Sequence, residues 1–130
     1  MKNWPARAFS DPPMNLLAGT AASIGVTLQA GVNLSVPLPA ASTSALTIGI
    51  RASALRVRQR PGDLPLPGKV ELAEISGSDT FVHVDSRIGP LVAQLTGVHT
   101  FTLGEPVTLH LDPRHAYVFD AAGALLLGPH

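Results

Sequence analysis

Prolines and glycines, twelve of each in 130 residues, are spread along the whole chain instead of gathering in one tail. Each one breaks or bends a regular element, so few stretches remain long enough to bury one face of a packed helix. The pieces between them are short, and most of them alternate. Val70 and Leu72, then Val82 and Val84, then Leu91, Ala93 and Leu95, then Val107, Leu109 and Leu111 place apolar residues at a spacing of two, the period of a strand with one buried face. An all-β domain follows, with candidate strands at 16–20, 25–30, 33–36, 46–51, 55–58, 68–76, 80–85, 90–95, 106–111, 116–119 and 125–127. Short antiparallel strands joined by Gly/Pro turns suit a small barrel, because closure removes exposed strand edges; a sandwich is the runner-up.

The length suits one compact domain or two very small, intimately packed ones, and a single unit is expected. Arg60-Pro-Gly-Asp-Leu-Pro-Leu-Pro67 is the most linker-like stretch, since its prolines cannot donate to a ladder and its Gly-Asp pair favours a turn. It is expected to separate two halves, about 11–60 and 66–127, between which no sequence repeat is evident. Residues 1–10, with the only tryptophan at Trp4, read as a short helical or extended lead-in.

Nine lysines and arginines balance nine acids, so no long-range field steers the chain toward nucleic acid or an anionic membrane. Charged residues are only 14% of the chain, against roughly 25% in ordinary soluble domains. Part of the outer surface is therefore expected to pack against another domain or subunit. The absence of cysteine excludes disulfides, thiolate chemistry and Cys-based zinc sites. No apolar run approaches the roughly 18 to 20 residues that span a bilayer, and the first residues lack a signal pattern, so a soluble, non-exported chain is expected.

Catalytic patterns are weak. Gly62-Asp-Leu-Pro-Leu-Pro-Gly-Lys-Val70 is the nearest string to a phosphate-binding loop. Its glycines are one residue too far apart, two prolines remove amide donors, and Val70 has no hydroxyl for magnesium. No Gly-x-Ser-x-Gly elbow accompanies the serines and histidines. His110, Asp112 and His115, with His83 and Asp85 on another strand, offer nitrogen and oxygen ligands but no recognised zinc spacing. On an alternating strand, His110 and Asp112 would share an outward face leading into a turn.

Two surface patterns remain. Arg56, Arg58 and Arg60 alternate; if 55–60 is extended, their guanidinium groups line one face, either as a charge-guarded edge or as a site for phosphate or a partner's carboxylates. Gly77-Ser-Asp-Thr80 reads as a hairpin connection whose amides and hydroxyls, at Ser78, Asp79 and Thr80, could also bind a small oxyanion or sugar.

Four stretches fall in a telling order: Phe9 to Asn15, reading Phe-x-x-Pro-Pro-Met-Asn; Gly49-Ile-Arg51; Glu74-Ile-Ser-Gly-Ser-Asp-Thr80; and 106–123, closing on Phe119-Asp120. From about residue 8 to 123 the chain resembles the transport-associated OB domain at the C-terminal end of sugar-type ABC importer ATPases, most closely the group serving sugars, polyols or glycerol phosphate. The resemblance implies an OB-type barrel of two intertwined OB-like halves and a non-catalytic regulatory role. ATP and magnesium would be held by a nucleotide-binding domain of the same polypeptide, with no cofactor in this segment. It further implies a homodimer, membrane permease subunits as partners of the parent protein, a regulatory protein or small ligand at the surface, and a cytoplasmic position at the inner face of the membrane. Arg51, Arg56, Arg58, Ser78, Asp79 and Thr80 are the candidate ligand or partner surface. Many members follow Gly-Ile-Arg with Pro-Glu-His, where this chain has Ala52-Ser53-Ala54. The alternative is a stand-alone OB-type protein that binds a small oxyanion or sugar.

Overall fold

The computed structural model describes residues 14–38 and 44–129; the lead-in at 1–10 and most of the first motif lie outside the described residues. Each of the eleven candidate strands overlaps an observed one. They are β1 (Met14–Ala21), β2 (Val26–Thr27), β3 (Asn33–Leu34), β4 (Ala45–Arg51), β5 (Leu55–Arg56), β6 (Leu64–Ser76), β7 (Asp79–Ser86), β8 (Gly89–Thr96), β9 (Pro106–Leu111), β10 (Tyr117–Phe119) and β11 (Leu125–Leu127). Single 3-10 turns at Gln29–Gly31, Ala52–Ala54 and Pro113–His115 complete the regular structure among the described residues.

The strands form two sheets, in the orders β11-β10-β4-β1-β2-β3 and β5-β9-β6-β7-β8. Every recorded pairing is antiparallel. The second sheet curls until β5 and the turn before it pack against β8, which closes a small OB-type barrel except for a seam between those two strands. β5 comes from the first part of the chain but joins the second sheet, whereas β10 and β11 come from the last part and join the first. The halves are thus intertwined, and the main apolar core runs between the sheets: Val26, Leu34, Ile48, Ile50 and Val118 from one pack with Leu66, Val82, Leu91, Leu109 and Leu111 from the other.

Two expectations need correction. Leu72 does not share an inward face with Val70; it is 45% exposed. Val70 stands opposite Val84 but Leu72 stands opposite His83, so Glu71 is an extra residue and the alternation changes phase across it. Ala73, opposite Val82, takes the inward position instead.

The proline-rich stretch is no linker in its second half. Leu64 to Pro67 already belong to β6 and pair with β9, with Pro65 opposite His110 and Pro67 opposite Thr108. The Pro67 carbonyl accepts from the Arg87 amide at 3.3 Å, on the edge away from β9. Pro65 has the same parity, so both prolines turn their missing N–H away from the β9 ladder, where no donor is needed. Further along, β6 and β7 approach so closely at Gly68 that a Cβ there would lie 2.5 Å from the Asp85 carbonyl and 2.7 Å from Val84 Cγ1.

Candidate functional site

The seam of the barrel opens into a groove of about 480 Å³. Ser53, Leu55, Arg56, Arg58 and Arg60 line one side, and Gln94, Thr96 and His99 line the other. The arginines do not form the straight row that their spacing suggested. β5 ends at Arg56, and the chain bends over Val57–Arg58. The bend brings Asp63 back onto Arg56, where its carboxylate accepts from the Arg56 guanidinium and, at 2.8 Å, from the Arg60 amide. The Asp63 side chain is almost fully buried. Burial alone pushes its carboxyl up, but the Arg56 guanidinium and the Arg60 amide outweigh that and hold it below the ordinary carboxylate value. Arg58 and Arg60 are exposed and make no ion pair among the described residues.

On the opposite wall, the hairpin residues singled out from the sequence act as supports. Thr80 is fully buried. Its hydroxyl donates to the Gly97 carbonyl at 2.8 Å and accepts from the His99 amide at 2.9 Å, fixing the chain that carries His99 to the rim. Thr80 is therefore not a ligand-facing hydroxyl. Asp79 accepts from the Gln94 side chain at 2.8 Å and fixes that residue in turn. Ser78 is exposed in the turn beyond and takes no part in the groove. Arg58 and Arg56 thus line the groove directly, while Asp79 and Thr80 reach it through Gln94 and His99.

Arg51 lies elsewhere, on the first sheet. Its Nε donates to the Tyr117 hydroxyl at 3.0 Å and its guanidinium sits 5.3 Å from the ring centroid, which makes it a structural clasp between β4 and β10. Parallel to Tyr117 stands Phe119, with ring centroids 6.3 Å apart. Gln94, Thr96 and His99 were not singled out from the sequence. The only signal for Gln94 is its parity, since Leu91, Ala93 and Leu95 take the inward positions of β8.

His110 and Asp112 do not share an exposed face. His110 is buried, while the Asp112 carboxylate receives the Arg114 side chain at 2.8 Å and the Arg114 amide at 3.0 Å. These bonds hold the Asp112 carboxyl well below the usual carboxylate range and cap the Pro113–His115 turn. Among the described residues no group of three or more His, Cys, Asp or Glu side chains could hold a metal ion. His83, also buried, faces Glu74 at 3.4 Å; burial lowers its pKa and the carboxylate only partly opposes that.

The described residues thus form an OB-type barrel intertwined with a second sheet, with an open basic groove at the barrel's seam. Residues 48–119 match the family described as TOBE domain, and the chain belongs to that family. The sn-glycerol-3-phosphate import ATP-binding protein UgpC of Chromohalobacter salexigens is 34% identical over 92% of this chain and 33% of that protein. Its namesake from Paracoccus denitrificans is 32% identical over 86% of this chain and 31% of that protein. UgpC 3 of Agrobacterium fabrum is 30% identical over 91% of this chain and 34% of that protein. The chain therefore spans about a third of the length of these curated relatives. A solved structure of the cytoplasmic molybdate-binding protein ModG has the same fold, with a TM-score of 0.64 at 12% identity over 80% of this chain and 94% of that one.

Proposed function

We propose that the chain is the regulatory domain of the ATP-binding subunit of an ABC importer for glycerol phosphate or a related polyol or sugar. The observation that carries this reading is the alignment of 92% of the chain with one third of a glycerol-3-phosphate import ATP-binding protein, on top of the TOBE family match. In this role the domain does no chemistry. ATP and magnesium are held by a nucleotide-binding domain of the same polypeptide, and the parent protein meets its permease subunits at the cytoplasmic face of the membrane. The domain acts through surfaces that pack differently in the open and closed states of an ATPase dimer, so that whatever binds one packing better shifts the cycle.

The test is a chimera in which this chain replaces the matching third of a UgpC-type protein. Restored uptake of glycerol 3-phosphate, with ATP hydrolysis still coupled to it, supports the reading; a chimera that folds and hydrolyses ATP but is uncoupled from uptake refutes it. The stand-alone ligand-binding alternative has its ligand at turn residues such as Ser78 and Thr80, or between subunits. The burial of Thr80 and the two bonds of its hydroxyl leave the turn location without support.

A further inference from the structure

β5 and the turn before it pack against β8, so the seam groove has room for a small molecule and none for an added strand. Its volume of about 480 Å³ lies in the range of small-molecule sites, about 300 to 1,000 Å³. Buried Leu55 and Leu95 reach it from the core and offer carbon surface. The β8 wall is held in place before anything binds. Asp79 accepts from the Gln94 side chain at 2.8 Å, and His99 is fixed twice, by the Thr80 hydroxyl at its amide and by the Thr96 carbonyl at its Nε2, 2.8 Å away. The ring nitrogen that meets a carbonyl carries the hydrogen, so Nδ1 of the neutral ring is left as an acceptor. The Gln94 amide group and the Thr96 hydroxyl can each donate as well as accept.

Charge marks what the groove suits. The chain as a whole is neutral, with nine lysines and arginines to nine acids, yet three of its arginines line this groove and none of its acids does. Asp63, buried beneath, cancels only Arg56, to which it is bonded. Arg58 and Arg60 are left over, exposed and with no ion pair among the described residues. Two uncompensated guanidinium groups match a phosphomonoester, whose charge is about −1.5 to −2 at pH 7, and exceed the charge of one carboxylate. Long side chains on an exposed bend can turn to one point, where their forks fit phosphate oxygens. A bare phosphate ion would leave the β8 wall untouched, whereas a phosphate ester with hydroxyl groups meets both walls.

We infer that the seam groove binds a small hydroxylated phosphomonoester, with its phosphate against Arg58 and Arg60 and its hydroxyl groups against Gln94, Thr96 and His99. The ligand is an effector of the regulatory domain: a molecule that joins the two walls favours one packing of the barrel seam and so biases the cycle. That role rests on the importer reading proposed above, but the test of binding needs only the chain itself.

The whole chain is titrated with glycerol 3-phosphate, glucose 6-phosphate, inorganic phosphate and glycerol, by calorimetry and by backbone amide shifts in NMR spectra. Saturable binding of at least one of the two esters is expected, about tenfold or more tighter than inorganic phosphate, with none of glycerol. Amide shifts should appear on both walls, at Arg58 and Arg60 and from Gln94 to His99. R58Q/R60Q should weaken binding by about tenfold or more, while R87Q, an exposed arginine outside the groove, should leave it unchanged. Both groove arginines are exposed, so an unaltered denaturation midpoint verifies that the double variant is folded. Inorganic phosphate binding as tightly as the esters overturns the ester assignment and leaves a simple anion site. No binding of either ester, unchanged binding in R58Q/R60Q, or shifts confined to another part of the domain overturns the site itself. None of these failures touches the importer reading, which the chimera tests separately.

Discussion

Asn15 and Val92, on different sheets and 77 residues apart, are joined by two hydrogen bonds in which a side-chain amide pairs with a backbone peptide. The second hydrogen of the same amide group reaches the Ile50 carbonyl at 3.1 Å, and Asn15 is only 3% exposed. One side chain therefore locks β1 to the edge of β8 and leaves no buried donor or acceptor open at that point.

Replacing it leaves buried peptide groups unsatisfied. Asn15→Leu is expected to destabilise the domain by about 2 to 4 kcal/mol, measured by urea unfolding. A loss near zero would mean that β8 finds another partner.

Thr80 and Ser78 make a matched pair of tests. Thr80→Val keeps the shape but removes a donor and an acceptor in the interior, and about 1 to 3 kcal/mol is expected to be lost. Ser78→Ala on the exposed turn is expected to stay within about 0.5 kcal/mol of the parent.

Gly68 tests the closeness of β6 and β7. A methyl group there meets backbone at 2.5 Å and has no flexible neighbour on that side to displace. Gly68→Ala is expected to cost about 1 to 3 kcal/mol by overpacking, read from the shift in the denaturation midpoint.

Stability should fall on acidification in two stages. Burial holds the His83 imidazole below its ordinary value of 6.5, so the unfolded chain takes up that proton first. Its contribution is complete above 6.5 and is lost as pH falls toward the folded value, with a slope of at most about 1.4 kcal/mol per pH unit. Asp63 is lowered from 3.8, so its contribution holds above that pH and is lost only below it. In unfolding curves recorded across pH, His83→Gln should flatten the first stage and Asp63→Asn should shrink the second. Stability that rises on acidification would contradict both assignments.

The strands were legible because alternation and turn residues are local signals, and each candidate strand lands on an observed one. What escaped was whatever depends on strands meeting. The phase change at Glu71 exists only in the pairing of β6 with β7, and the tolerance of Pro65 and Pro67 depends on which edge of β6 faces β9. The same holds for the site. Arg56 and Arg58 were visible as a run of charge, but the wall they face, built from Gln94 and His99, is brought opposite only when the barrel curls. Thr80 carried the polarity of a ligand-binding residue and proved to be an internal brace.

The trading of strands between the sheets has a mechanical meaning. With β5 lent forward and β10 and β11 lent back, neither sheet can be pulled open without tearing strands from the other. The domain is therefore expected to melt as one body, with coincident transitions by different probes. Through its bonds with Val92, Asn15 couples β1 of one sheet directly to β8 of the other, so a displacement of either strand is felt by both.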